Sequence, residues 1–196
     1  MQASTTATPG DQAPRRDGWG QGTPEQQRIA ESFVAALEGL RGEDDRAALA
    51  RLKRCAGRSL GECPEVYSLF YRLLPGQARG NGRLEEICFL VATLYPLASE
   101  KAAVDLGTAL RQLANSDRER AQGLDRRVGV LLDADLESLN FRLRQAVSLL
   151  SSKDIGLDWR QLLVDVLQWE WNGRPVQRRW ARSFFGSQRE EEAAAE

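Results

Sequence analysis

Apolar residues recur along most of this chain at intervals of three and four, the spacing that puts one face of an α-helix against a core. Thr23-Pro24-Glu25-Gln26 starts the first such run, with Thr as N-cap, Pro in the first turn and Gln closing a capping box. Ile29, Phe33, Leu37 and Leu40 then share a face. A second helix is expected over Asp44 to Ala56, with Leu49, Leu52 and Cys55 inward and Gly57 as its stop. A third runs from Pro64 to Leu74, where Pro75-Gly76 ends it. The turn-rich stretch Pro75 to Gly82 reads as an exposed loop.

Helix four follows over Arg83 to Tyr95, with Ile87, Leu90, Val91 and Leu94 inward, and helix five over Ala102 to Ala114. Ser116-Asp117-Arg118-Glu119 reads as a capping box opening a helix that carries Leu124, Val128 and Leu131. Helix seven covers Leu136 to Ser152, with Leu139, Leu143, Ala146, Val147 and Leu150 inward. Asp158 caps helix eight, with Leu162, Leu163, Val166 and Trp169. Arg174 to Phe185 is the last, closed by Gly186. Period-two alternation is nowhere sustained, so no strand is expected. The fold class is all-α, a compact bundle of about nine helices. Residues 1–22 are expected to be a disordered tail, 23–185 the helical domain with lobes near 23–114 and 115–185, and 186–196 an acidic tail.

Composition narrows the chemistry. The chain has 196 residues and no histidine. This excludes Ser-His-Asp and Cys-His nucleophilic arrangements and His-ligated metals. Cys55, Cys63 and Cys88 lack metal-site spacing and read as reduced, buried thiols. The N-terminus lacks the apolar core of a signal peptide, and no apolar stretch reaches bilayer length; a cytoplasmic protein without membrane contact is expected. The net charge of −1 means that any nucleic-acid role must rest on a local patch.

Candidates for that patch follow from the basic residues, almost all Arg. Arg51, Lys53, Arg54 and Arg58 have no acid among them. Arg72, Arg79 and Arg83 flank the glycine-rich loop. Arg126 and Arg127 are adjacent; Arg142 and Arg144 lie two apart, so one faces out while the other sits at the rim of the inward stripe. Arg174, Arg178, Arg179 and Arg182 crowd nine residues. Arg174, Arg178 and Arg182 fall on one helix face, opposite Val176, Trp180 and Phe184. Single-sign faces suit phosphate contact, whereas an ordinary solvated face mixes signs. Asp133, Asp135 and Glu137 could hold a metal ion, but acids at a helix junction more simply cap the next helix. The tryptophans read mainly as core, with Trp171 undetermined.

Several stretches together carry a family likeness. They are Phe70-Tyr71-Arg72-Leu73-Leu74-Pro75, Leu106-Gly107-Thr108-Ala109-Leu110, Arg126-Arg127 ahead of Leu131-Leu132-Asp133-Ala134-Asp135, Leu143-Arg144-Gln145-Ala146-Val147, Leu157-Asp158-Trp159 and Arg174-Pro175-Val176-Gln177-Arg178-Arg179-Trp180-Ala181-Arg182. In this order they resemble CasB, the small subunit of the type I-E CRISPR Cascade complex, over about residues 25 to 185. The resemblance implies a non-catalytic subunit without cofactor or metal. Its implied partners are the crRNA-bound backbone, the large subunit, a second copy of itself, crRNA and target DNA, above all the displaced non-target strand. It also carries nucleic-acid contact onto Lys53, Arg54, Arg83, Arg144 and Arg174. Arg126, Arg127, Arg142, Arg178, Arg179 and Arg182 are added from charge pattern. Two other functions stay open: a helical protein–protein adaptor with no nucleic-acid role, and a metal nuclease built on Asp133, Asp135 and Glu137.

Overall fold

A computed structural model describes residues 22–98, 103–116 and 118–186. The two expected tails, apart from Gly22 and Gly186, lie outside the described residues, as do Ala102 and Asp117. The fold is all-α. Among the described residues the helices are α1 (Pro24–Gly42), α2 (Arg46–Arg54), α3 (Tyr67–Leu73), α4 (Gly82–Leu94), α5 (Leu106–Ser116), α6 (Arg118–Asp133), α7 (Leu136–Ser152), α8 (Trp159–Leu167) and α9 (Pro175–Phe185). None is long and apolar enough to cross a membrane.

Pattern and capping explain most of these elements. Thr23 and Gln26 form the capping box of α1, each side chain bonding the other's backbone amide. Asp45, Asn81, Asp135 and Asp158 each accept an amide hydrogen from the third residue beyond, which starts α2, α4, α7 and α8. Helix α4 is the centre: Ile87 to Leu94 are buried on every side, as expected of a helix that is apolar all round. Around it α1 packs on α8, α4 on α8 and α7, α5 on α9, and α6 on both α7 and α9. One continuous core results, running from Ile29 to Phe184.

The structure departs from the sequence reading in several places. A short parallel pair, β1 (Ala103–Val104) and β2 (Gly156–Leu157), ties the lead-in of α5 to that of α8, where the pattern predicts no strand. Two residues per strand leave no alternation to detect. Helix α5 begins at Leu106 because the Asp105 carboxylate accepts from the Gly107 and Thr108 amides and holds the first turn there. Pro64 opens a 3-10 turn, Pro64–Val66, before α3. The loop after α3 is only partly exposed: Gly76–Ala78 is a 3-10 turn, with Pro75 and Ala78 buried. Helix α5 runs on to Ser116, two residues past its expected end, and the side chains of Asp117 to Glu119, needed for the expected capping box of α6, lie outside the described residues. Ser116 donates its hydroxyl to the Leu113 carbonyl at 2.8 Å.

Candidate nucleic-acid interface

Helix α7 presents two faces. Leu139, Leu143, Ala146, Val147 and Leu150 are buried, while Phe141, Arg144, Gln145, Ser148 and Ser152 point to solvent. Beside that outer face run two adjoining grooves. The first is lined by Arg127, Phe141, Arg144, Gln145, Ser148, Leu149 and Ser152. The second, between α6 and α7, brings in Arg126 and Arg142 along with Arg127 over an apolar floor that includes Leu124, Leu131 and Ala146. Among the described residues neither groove is lined by an Asp or Glu. Arg144 is exposed and Arg142 half-buried, the division expected for two arginines two residues apart. Arg142 holds its guanidinium carbon 5.6 Å from the centre of the Phe141 ring.

The end of α2 meets this face. Gly57 has φ +83°, and a Cβ on it would lie 2.9 Å from Cδ of Arg144. Its lack of a side chain therefore does two things: it turns the chain after α2 and lets the Arg144 stem pass. Lys53 and Arg54 are exposed in the last turn of α2, where cations also favour the helix dipole. Arg58 is engaged, donating to the Glu62 carbonyl and pairing with Glu65 at 3.6 Å. Among the described residues no acid forms an ion pair with Lys53, Arg54, Arg126, Arg127, Arg142 or Arg144.

The remaining predicted arginines separate by partner. Arg83 pairs with Glu170 at 2.7 Å. Arg174 does not sit in the helix stripe with Arg178 and Arg182. It is the left-handed residue preceding α9, φ 50°, and its guanidinium reaches Asp133 at 3.4 Å and the Leu132 carbonyl at the end of α6. Arg179 is turned inward to Asp165, a carboxylate 1% exposed that also accepts from Gln161 at 2.6 Å and from Trp180 Nε1 at 2.7 Å. Burial pushes the Asp165 carboxyl above its ordinary value, and Arg179, Gln161 and Trp180 pull it back. Arg178 and Arg182 are exposed, with no acid partner among the described residues.

Phe141 also lines a groove of opposite sign. That groove, of 690 Å³, is lined by Glu62, Glu86, Asp135, Glu137 and Glu170, and by Gly57. Two of the three acids weighed as metal ligands, Asp133 and Asp135, are occupied by folding tasks. Asp135 caps α7, and its Ser138 hydroxyl and amide partners hold its carboxyl below the usual value; Asp133 pairs with Arg174. A different trio lies close together: the buried thiols Cys55 and Cys63 with the exposed Glu65. Burial first, then contact with Cys63, pushes the Cys55 thiol up to about 12, so it rests protonated. All three cysteines are free and buried, as expected.

Sequence reasoning missed Phe141, the most exposed large apolar side chain among the described residues at 50%. The signal was present: it lies between Leu139 and Leu143, off the inward stripe. Trp159, Trp169 and Trp180 are core, and Val176, Trp180 and Phe184 form the buried face of α9.

Comparison with known proteins agrees with this architecture. The family model for CRISPR-associated protein Cse2 matches residues 48–185. A CRISPR-associated protein Cse2 from Thermus thermophilus is 36% identical over 168 residues, covering 83% of this chain and 93% of that protein. The crystal structure of M. ruber CasB superposes with a TM-score of 0.69 at 33% identity, covering 86% of this chain and 98% of that one. A chain of a solved CRISPR RNA-guided surveillance complex shares the fold, with a TM-score of 0.71 at 22% identity over 87% of this chain and 99% of its own. With its helices, core and matched length in agreement, this chain belongs to the CRISPR-associated Cse2 family.

Proposed function

We propose that the chain is a non-catalytic small subunit of a type I-E CRISPR Cascade complex, which stabilises the R-loop by holding the displaced non-target strand along its basic grooves. One observation carries this reading: arginines of α6 and α7 converge on two adjoining grooves with no acid among the described lining residues. Lys53 and Arg54 extend the line beyond Gly57. Guanidinium–phosphate contacts carry no sequence information, which suits a protein that must accept any target. Replacing a DNA duplex by a guide–target duplex is a nearly balanced exchange, so modest contacts to the freed strand tip it. The acidic groove adjoins this path at Gly57 and Phe141 and suits packing against cationic surfaces of the crRNA-bound backbone, the large subunit or a second copy of the chain.

The test is binding of the displaced strand by complexes rebuilt with Arg126, Arg127 and Arg144 changed together to Ala. Assembly should persist, because exposed charges contribute little to stability. The slope of log affinity against log salt should flatten by roughly 0.7 for each phosphate no longer neutralised, equally for every target sequence. Lys replacements should be milder, though weaker than Arg where the planar fork is used. Normal assembly with an unchanged slope would remove these residues from the path. Failure to assemble would favour the adaptor reading.

A further inference from the structure

We infer that Phe141 is a base-stacking residue: its ring receives one unstacked base of a single-stranded nucleic acid whose phosphates lie against Arg127 and Arg144. This role rests on the strand-holding reading above and names how the strand is gripped. A phenylalanine in mid-helix has neither good helix propensity nor, here, burial to justify it. Its setting points to a planar, anionic-backboned ligand. Phe141, Arg144, Gln145, Ser148 and Ser152 make one outward face of α7. At 1.5 Å per residue that face is about 16 Å long. It offers an aromatic plane, a guanidinium, an amide and two hydroxyls, with no carboxylate among the described residues of the groove.

The choice of occupant follows from charge. An apolar protein segment covering Phe141 would also desolvate Arg144 and Arg127 beside it without a counter-charge. A duplex hides its base faces in the stack. A single strand alone presents a flat π-face and phosphates together, and ring stacking accepts any base. The acidic groove that Phe141 also lines repels phosphate and so confines the backbone to the arginine side.

The experiment uses the full chain with single-stranded oligonucleotides containing 2-aminopurine, whose fluorescence is quenched on stacking, and matched strands with abasic sites. Phe141→Leu keeps apolar bulk but removes the π-face. It should weaken binding of base-containing strands about tenfold, abolish the change in 2-aminopurine emission on binding, and leave the salt slope unaltered. Phe141→Trp should preserve binding. On abasic strands wild type and Phe141→Leu should bind alike. The Arg126, Arg127 and Arg144 triple-Ala chain, measured beside them, separates the two ideas. If that chain loses salt slope while Phe141→Leu binds like wild type, the stacking inference fails and the phosphate path stands. If neither variant changes binding, both fail. If Phe141→Leu leaves strand binding intact but blocks assembly with partner subunits, the ring meets protein and the inference is overturned.

Discussion

Arginines that look alike in sequence carry different duties, and their partners tell them apart. Arg178, Arg179 and Arg182 lie within five residues, yet only Arg179 holds a buried carboxylate. Removing one partner of such a pair leaves a charge without compensation, which costs roughly 3–5 kcal/mol; the low end applies here, since Arg179 keeps part of its surface in water. Arg179→Ala should therefore destabilise by about 3 kcal/mol at neutral pH. Arg178→Ala and Arg182→Ala should stay within about 0.5 kcal/mol of wild type. The penalty should shrink in acid. Burial already raises the folded-state value of Asp165 above its unfolded value, and losing Arg179 raises it further. Between those values the folded protein binds the extra proton, so the variant's stability falls as pH rises through that window and recovers as pH drops. Urea unfolding at neutral and mildly acidic pH checks this; an equal loss at both would mean Asp165 does not titrate there. None of this pairing was legible from the sequence, since Glu170, Asp133 and Asp165 reach Arg83, Arg174 and Arg179 only through the tertiary fold. The buried stripe of α9 was legible, because Val176, Trp180 and Phe184 obey the helical period. Trp180 packs with its ring centre 5.1 Å from that of Trp169 and donates to Asp165, so Trp180→Ala should cost about 3–5 kcal/mol in the same assay.

At the scale of elements, local chemistry announced the helices well and their junctions less well. Helix α7 matches its expected bounds at both ends, Leu136 and Ser152, because an Asp cap and a leucine stripe agree. The start of α5 did not, because the helical pattern can be extended back to Ala102 and the stop lies in the Asp105 side chain and the β1–β2 pair. Close approach between elements was not legible either. Gly107 of α5 sits against α9: a Cβ there would lie 2.8 Å from the Trp180 carbonyl oxygen and 2.9 Å from its Cα. Backbone cannot yield as a flexible side chain can. Gly107→Ala should thus destabilise by roughly 1–3 kcal/mol, although Ala is the better helix former. Gly129 in α6 has nothing within 4 Å of its Cβ position, so Gly129→Ala should stabilise by up to about 1 kcal/mol. Thermal unfolding of the two variants side by side checks the sign. A stabilised Gly107→Ala would mean that α5 and α9 are not in close contact.

For the whole molecule, a net charge of −1 conceals two faces of opposite sign that meet at Gly57 and Phe141. The sequence showed runs of arginine but not which runs unite, and the family resemblance carried nucleic-acid contact onto Arg83 and Arg174 along with Arg144. Their pairing makes a distinction that bulk measurement can read. An unpaired surface arginine replaces the counterions of a phosphate outright, whereas one already neutralised by a carboxylate must give up that partner first. Arg83 is matched by Glu170 and Arg174 by Asp133, while Arg126, Arg127 and Arg144 face no acid among the described residues. Changing Arg83 and Arg174 together to Ala should leave the salt slope of strand binding within about 0.3 of wild type, while the groove triple lowers it by about 2. The double variant should instead show its effect in stability, modestly, because both pairs are half exposed and because Arg174 also ties the start of α9 to the Leu132 carbonyl. Affinity measured against salt for wild type, double and triple variants decides the matter. A double variant whose slope falls by more than about 1 would mean that Glu170 and Asp133 release their arginines when the strand arrives, and the phosphate path would then extend from the α6–α7 grooves to Arg83 and the start of α9.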